Sequence, residues 1–152
     1  MKIMFPLICI AVLSLALPML DSSAPQAWGE EVVHFMVPRL TPEQLNQLIE
    51  EKVEYVLVDT RDSSRYDYGH IDGAINIYYD PTGDPLTREI MLTALPMDKL
   101  VIFYCDCPED KNAANMALAL WDLGYDRDKV KVLVGGTLRW EMSGNSLTAT
   151  KH

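Results

Sequence analysis

Three short, unbroken apolar runs, each ending directly on a residue suited to chemistry or to a tight turn, constrain this chain more than any other feature. Tyr55-Val56-Leu57-Val58 runs into Asp59, Leu100 to Tyr104 into Cys105, and Val130 to Val134 into Gly135-Gly136. Their length and β-branched content favour strands buried on both faces. Between them the apolar residues recur at helical spacing. Thr41 as N-cap, Pro42 at the first helical position and Gln44 three after the cap open a helix with Leu45, Leu48 and Ile49 as its stripe. Leu86 to Leu95 reads as a second helix, stopped at Pro96. Ala113, Met116, Ala117, Leu120 and Leu123 form a third, with Gly124 as its stop. Leu138 to Met142 reads as a last short helix. Residues 60 to 85 are rich in turn residues, with a brief strand expected over Ala74 to Tyr78. Apolar strands alternating with amphipathic helices predict an α/β fold, a mostly parallel sheet with helices on both faces. Parallel strands finish on one edge. Asp59, Cys105 and Gly135-Gly136 are therefore expected together at the carboxyl rim, where open α/β sheets bind ligands.

The N-terminus has a different character. Lys2 precedes an apolar stretch from Ile3 to Leu20 that is broken only by Pro6 and Pro18, and Ala27-Trp28-Gly29 places small residues at the −3 and −1 positions of a cleavage site. This pattern predicts an export signal over residues 1–29, a linker over 30–37 and one globular domain over 38–152. The apolar stretch also approaches the roughly 18 residues that a membrane span needs, so an uncleaved anchor is the alternative. Both readings put the domain in the periplasm or another extracytoplasmic space, touching a membrane only through an uncleaved leader. The formal net charge of −9 argues against a nucleic-acid partner. It also gives a small anion no general attraction, so any anion site must be built locally.

Outside the leader, which holds Cys9, the cysteines are Cys105 and Cys107. One residue apart, they cannot staple distant parts of a fold, and a bond between them is expected to make a very tight ring. The pair is therefore read as chemical rather than structural. Cys105 closes a strand, the loop Asp106-Cys107-Pro108-Glu109-Asp110 follows, and a helix opens near Lys111 and Asn112. That order is expected to wrap backbone N–H groups and the positive end of the helix around the Cys105 sulfur, favouring thiolate over thiol. A thiolate so held suits nucleophilic attack on sulfur.

The motifs resemble the rhodanese-like domain. Val58-Asp59-Thr60-Arg61, Tyr66 and Gly69-His70-Ile71-Asp72-Gly73-Ala74-Ile75-Asn76-Ile77 are similar to the family's first motif. Cys105 stands at the position of its active-site cysteine, and Leu123-Gly124-Tyr125 with Gly135-Gly136-Thr137-Leu138-Arg139-Trp140 resembles its closing segment. The similarity runs over residues 38 to 144. It implies a five-stranded parallel sheet flanked by helices, and an enzyme that moves a sulfane sulfur from a small sulfur-containing anion, thiosulfate or polysulfide, to a thiol or other thiophilic acceptor, protein-borne or small. The implied carrier is a persulfide on Cys105; no cofactor is expected, and the two cysteines with His34, His70 and His152 show no spacing that builds a tetrahedral metal site. Residues 106 and 108–112 form the substrate-binding loop, with Asp59 and Arg61 as supporting residues.

Two features depart from the family pattern. Asp106, Glu109 and Asp110 bring three carboxylates where small and basic residues are usual. They are expected to oppose the thiolate and to repel thiosulfate. Lys111, the one cation of the loop, stands where related cysteine phosphatases keep an arginine, and a point charge does not clamp a tetrahedral anion in bidentate fashion. The Cys-x-Cys-Pro sequence resembles a rhodanese subgroup with paired cysteines. Cys107 is thus a candidate second thiol, with three roles open: resolving a persulfide, carrying sulfur itself, or standing by. Two other functions compete with sulfur transfer, a Cys105/Cys107 thiol-disulfide redox module and a non-catalytic interaction domain. Asp59 with Arg61, His70 and Trp140 have plain structural readings as an ion pair, a loop lock and core packing.

Overall fold

The computed structural model of this chain describes residues 34–150. The leader and cleavage site expected over residues 1–29 lie outside the described residues. Five parallel strands form one sheet: β1 (Arg39–Leu40), β2 (Tyr55–Asp59), β3 (Ile75–Asn76), β4 (Leu100–Tyr104) and β5 (Val130–Leu133), in the order β1-β5-β4-β2-β3. The helices are α1 (Pro42–Glu50), α2 (Ser63–Tyr68), α3 (Pro85–Thr93), α4 (Lys111–Asp122) and α5 (Gly136–Met142). Single 3-10 turns cover Pro108–Asp110 and Arg127–Lys129.

The strands are buried on both faces, and β4 shows how. Val101, Phe103 and Cys105 point to a core shared with Val58, Leu92, Val130, Val132 and the α4 residues Ala113, Met116, Ala117 and Leu120. Ile102 and Tyr104 point the other way, to Leu45, Leu57, Ile71, Leu133 and Trp140. This is the period-2 alternation of a strand, and it puts Cys105 on the α4 side of the sheet. Thr41 caps α1 in a reciprocal capping box with Gln44.

Four details differ from the sequence expectations. The first is α2. It buries no residue, so its sequence carries no apolar stripe to reveal a helix; Asp62 starts it by accepting from the Arg65 amide. The second is β1, two residues long and too short to leave a pattern. The third is the strand expected over Ala74–Tyr78, which pairs in register only at Ile75–Asn76. Beyond it, the Ile77 and Tyr79 amides reach the carbonyls of Asp59 and Thr60 where β2 ends. The fourth is the described part of the linker expected over 30–37, which packs against the domain. Val37 is buried in the core, His34 is buried and meets the Asn115 side chain, and Arg39 donates to the carbonyls of both His34 and Val37.

Candidate active site

The carboxyl ends of β2, β4 and β5 meet as the topology requires, and a buried arginine ties them together. Asp59 ends β2 with no exposure to solvent. The Arg61 Nε donates to both Asp59 carboxylate oxygens at 3.0 and 3.1 Å, and Nη2 donates to Oδ2 at 2.6 Å and to the Gly69 carbonyl at 2.7 Å. Its other terminal nitrogen, Nη1, reaches Asp106 Oδ2 at 3.0 Å, in the loop after β4, and Thr137 Oγ1 at 3.4 Å, after β5. Burial opposes the guanidinium charge, but the hydrogen bonds and charge of Asp59, with Asp106, more than offset it and hold the group protonated. Burial, then the Asp59 charge, pushes the Tyr104 hydroxyl well above its ordinary range. Tyr104 accepts the Ile71 amide, and Asn76 Nδ2 donates to the carbonyls of Asp59 and Arg61. His70 stacks on Tyr66, and its Nδ1 lies 2.9 Å from the Tyr66 carbonyl. Trp140 is buried.

The acidic loop is arranged otherwise than its composition suggests. Asp106 Oδ1 accepts the Thr137 amide at 2.8 Å, and Oδ2 accepts the Thr137 hydroxyl as well as Arg61. Asp110 is buried and accepts the Gly135 amide at 2.9 Å. Glu109 is exposed, and its carbonyl accepts from Arg39. The sequence expectation is three carboxylates beside the sulfur that work against its thiolate. Instead Asp106 is paired with Arg61, and Asp110 is turned toward the β5–α5 turn. Both aspartates fasten the loop to the backbone after β5. Lys111 is exposed at the first position of α4 and does not line the site.

Asp110 makes a pH prediction. Burial raises its carboxyl above the ordinary value, and the Gly135 amide and the charges of Arg39 and Arg139 only partly oppose this. A carboxyl raised in the folded state binds more protons there than in the unfolded chain, so its contribution to stability falls as pH rises through that window. Asp110→Asn keeps an acceptor for Gly135 and removes the buried charge. We expect it to raise the thermal midpoint by a few degrees at pH 7, an advantage that shrinks toward pH 4. Thermal melts of both proteins across that range check it.

The sulfurs of Cys105 and Cys107 are bonded to each other. The bond closes the very tight ring that a one-residue spacing implies, with Asp106 between the two cysteines and held by Arg61 and Thr137. The two Cα atoms are brought to 5.5 Å, inside the usual range for a disulfide. The expected cup of amides around Cys105 is also corrected. Among the described residues, the amide donated to either sulfur is that of Asn112, and it reaches Cys107 Sγ at 3.3 Å. The reason lies in Glu109 and Asp110, both at positive φ (60° and 57°). They interpose the Pro108–Asp110 turn, so α4 opens opposite residue 107 rather than 105. Cys105 itself is 1% exposed.

Both cysteines nevertheless line a pocket of about 220 Å³ at the rim, walled by Thr60, Arg61, Asp62, Arg65, Tyr78, Asp106 and Asn112. Sequence reasoning missed Thr60, Asp62, Arg65 and Tyr78. Arg65 lies in the first turn of α2, where its amide donates to the Asp62 cap, so it was findable only once that helix is recognised. Its side chain is 65% exposed and lies 3.4 Å from Asp62, a weak surface pair. Arg61, by contrast, is fully engaged. Among the described residues no set of His, Cys, Asp and Glu side chains is placed to hold a metal ion.

A five-stranded parallel sheet with a cysteine loop at its carboxyl rim defines the class. Residues 41–143 match the family model described as the Rhodanese-like domain, and the chain belongs to that family. It is 35% identical over 107 residues to the Mycobacterium tuberculosis protein named "Putative thiosulfate sulfurtransferase", a match that covers 64% of this chain and 38% of that protein. The chain thus spans less than two-fifths of that relative. Among solved structures, it is similar to the thiosulfate sulfurtransferase of Pseudomonas aeruginosa, with a TM-score of 0.64 and 24% identity, over 83% of this chain and 23% of that one. It is also similar to the polysulfide-sulfur transferase homodimer of Wolinella succinogenes, with a TM-score of 0.60 and 20% identity, over 84% and 88% of the two chains. At these identities the structural likeness speaks to the fold.

Proposed function

We propose that this domain is a sulfurtransferase that takes a sulfane sulfur from thiosulfate or a polysulfide as a persulfide on Cys105. It then passes the sulfur to a thiol or other thiophilic acceptor. The observation that supports this reading is that Cys105 and the exposed Arg65 line the same rim pocket. The pocket thereby has the local cation that the net charge of −9 denies the surface at large. Two equivalents of an external thiol, or one dithiol, first reduce the Cys105–Cys107 bond and are themselves oxidised to a disulfide. The Cys105 thiolate attacks the outer sulfur of thiosulfate, the S–S bond of the donor breaks, and sulfite leaves with the bonding pair. Arg65 receives the anionic end of the donor. We propose that this activity lies outside the cytoplasm, a reading supported by the leader pattern of residues 1–29.

Intact-mass analysis tests it. Reduced Cys107→Ser, in which the second thiol cannot discharge the sulfur, is expected to gain about 32 mass units per sulfur taken up from thiosulfate or polysulfide, and Cys105→Ser is expected to gain none. Sulfur retained by Cys105→Ser would move the carrier to Cys107, a second reading that the Asn112 amide at its sulfur favours. Arg65→Gln is expected to raise the KM for thiosulfate roughly tenfold with little change in kcat, because it removes binding common to ground and transition states.

A further inference from the structure

We propose that Cys107 is a resolving thiol, so that the domain releases the captured sulfur as sulfide and ends each cycle in the bonded Cys105–Cys107 form. The inference rests on the reading of Cys105 as sulfur carrier and gives that sulfur a fate.

Four observations converge on it. The two sulfurs are already joined, so the backbone needs no rearrangement for one to reach the other. The loop is held in that arrangement from outside the ring: Asp106 by Arg61 and Thr137, Asp110 by the Gly135 amide. The Asn112 amide donates to Cys107 Sγ, where it supports a thiolate at the attacking atom. The inner sulfur of a Cys105 persulfide is nearly closed to solvent, since Cys105 is 1% exposed. An outside thiol must enter the pocket to compete, whereas Cys107 is in place with the advantage of an intramolecular reaction.

The step balances. The Cys107 thiol loses its proton and its sulfur attacks Cys105 Sγ. The bond from Cys105 Sγ to the outer sulfur breaks, and that sulfur leaves with the electron pair and takes up the proton as HS⁻. The sulfane sulfur is reduced and the two cysteines are oxidised to the disulfide. Two equivalents of an external thiol, or one dithiol, then reduce the disulfide for the next cycle.

The test is a single turnover without air. Reduced wild type, freed of reductant, receives one equivalent of thiosulfate; sulfide is measured as it forms, and the protein is quenched, alkylated and weighed. The expected result is about one sulfide per chain, with the protein unavailable to alkylation at both cysteines. Cys107→Ser is expected to keep the added sulfur and to release sulfide roughly 100-fold more slowly. Wild type that holds a stable persulfide with Cys107 open to alkylation would overturn the inference and leave the sulfur-carrier reading intact. So would sulfide release from Cys107→Ser at the wild-type rate. Absence of added sulfur and of sulfide in both proteins would instead overturn the sulfur-carrier reading itself. The wild-type measurement requires no variant to fold.

Discussion

Gly136→Ala is expected to destabilise the domain by about 3 kcal/mol or more and to cut sulfur loading at least tenfold. Gly136 has φ +51°, in the left-handed region, where a side chain costs on the order of 1–2 kcal/mol. The larger part of the effect is steric. A Cβ built at this position overlaps the Cys105 carbonyl and crowds Asp106 Oδ1. The first is backbone at the end of β4 and cannot swing aside as a flexible side chain does. The methyl group must therefore push the cysteine loop from the β5–α5 turn, loosening the Thr137 contacts of Asp106. Gly144 supplies the control: its φ is +88°, but a Cβ there meets nothing within 4 Å. Gly144→Ala is expected to carry only the conformational cost of about 1–2 kcal/mol and to leave loading unchanged. Denaturant unfolding and intact-mass loading of the two variants, side by side, separate the steric effect from the conformational one.

Arg61→Met is expected to cost about 3–5 kcal/mol and to lower the thermal midpoint by roughly 10 °C or more. Asp59 has no solvent exposure and takes hydrogen bonds from both Nε and Nη2 of Arg61, so its charge would be left buried without its partner. The Gly69 carbonyl would lose its donor, and Asp106 its counter-charge. Pairing the change with Asp59→Asn removes the stranded carboxylate and should recover part of the loss, a coupling visible in a double-mutant cycle. Arg61→Lys is expected to recover little, since an ammonium cannot send parallel N–H bonds to Asp59 while also reaching Gly69, Asp106 and Thr137. Calorimetry or denaturant titration of the five proteins, wild type, the three single variants and the double variant, settles the sizes.

Much of this architecture is legible in the sequence because burial on both faces leaves so plain a mark. The runs ending at Val58, Tyr104 and Val134 gave β2, β4 and β5, and hence the rim where Asp59, Cys105 and Gly135 meet. The Thr41 cap and the Gly124 stop located two helices for reasons of local hydrogen bonding and backbone freedom. What stayed hidden has physical causes. α2 buries none of its residues, so no periodicity betrays it, and Arg65 stayed out of view with it. The acidic loop was misread because composition gives charge without direction. Asp106 and Asp110 find their partners 31 and 25 residues away, across the sheet, and nothing local announces that pairing. The amide donor went to Cys107 instead of Cys105 because two successive residues, Glu109 and Asp110, take a conformation that neither type advertises.

The fastening of Asp106 to Arg61 and Thr137 has a practical corollary for anyone wishing to re-equip this scaffold. A loop transplanted from another family member between positions 105 and 111 would arrive without the carboxylate that these two residues await. A graft that lacks a carboxylate at position 106 leaves Arg61 Nη1 without its acceptor there and the Thr137 amide at the start of α5 without its own. The portable module is therefore discontinuous in the chain: the thiol loop, the start of α5 and Arg61 must be exchanged as a set.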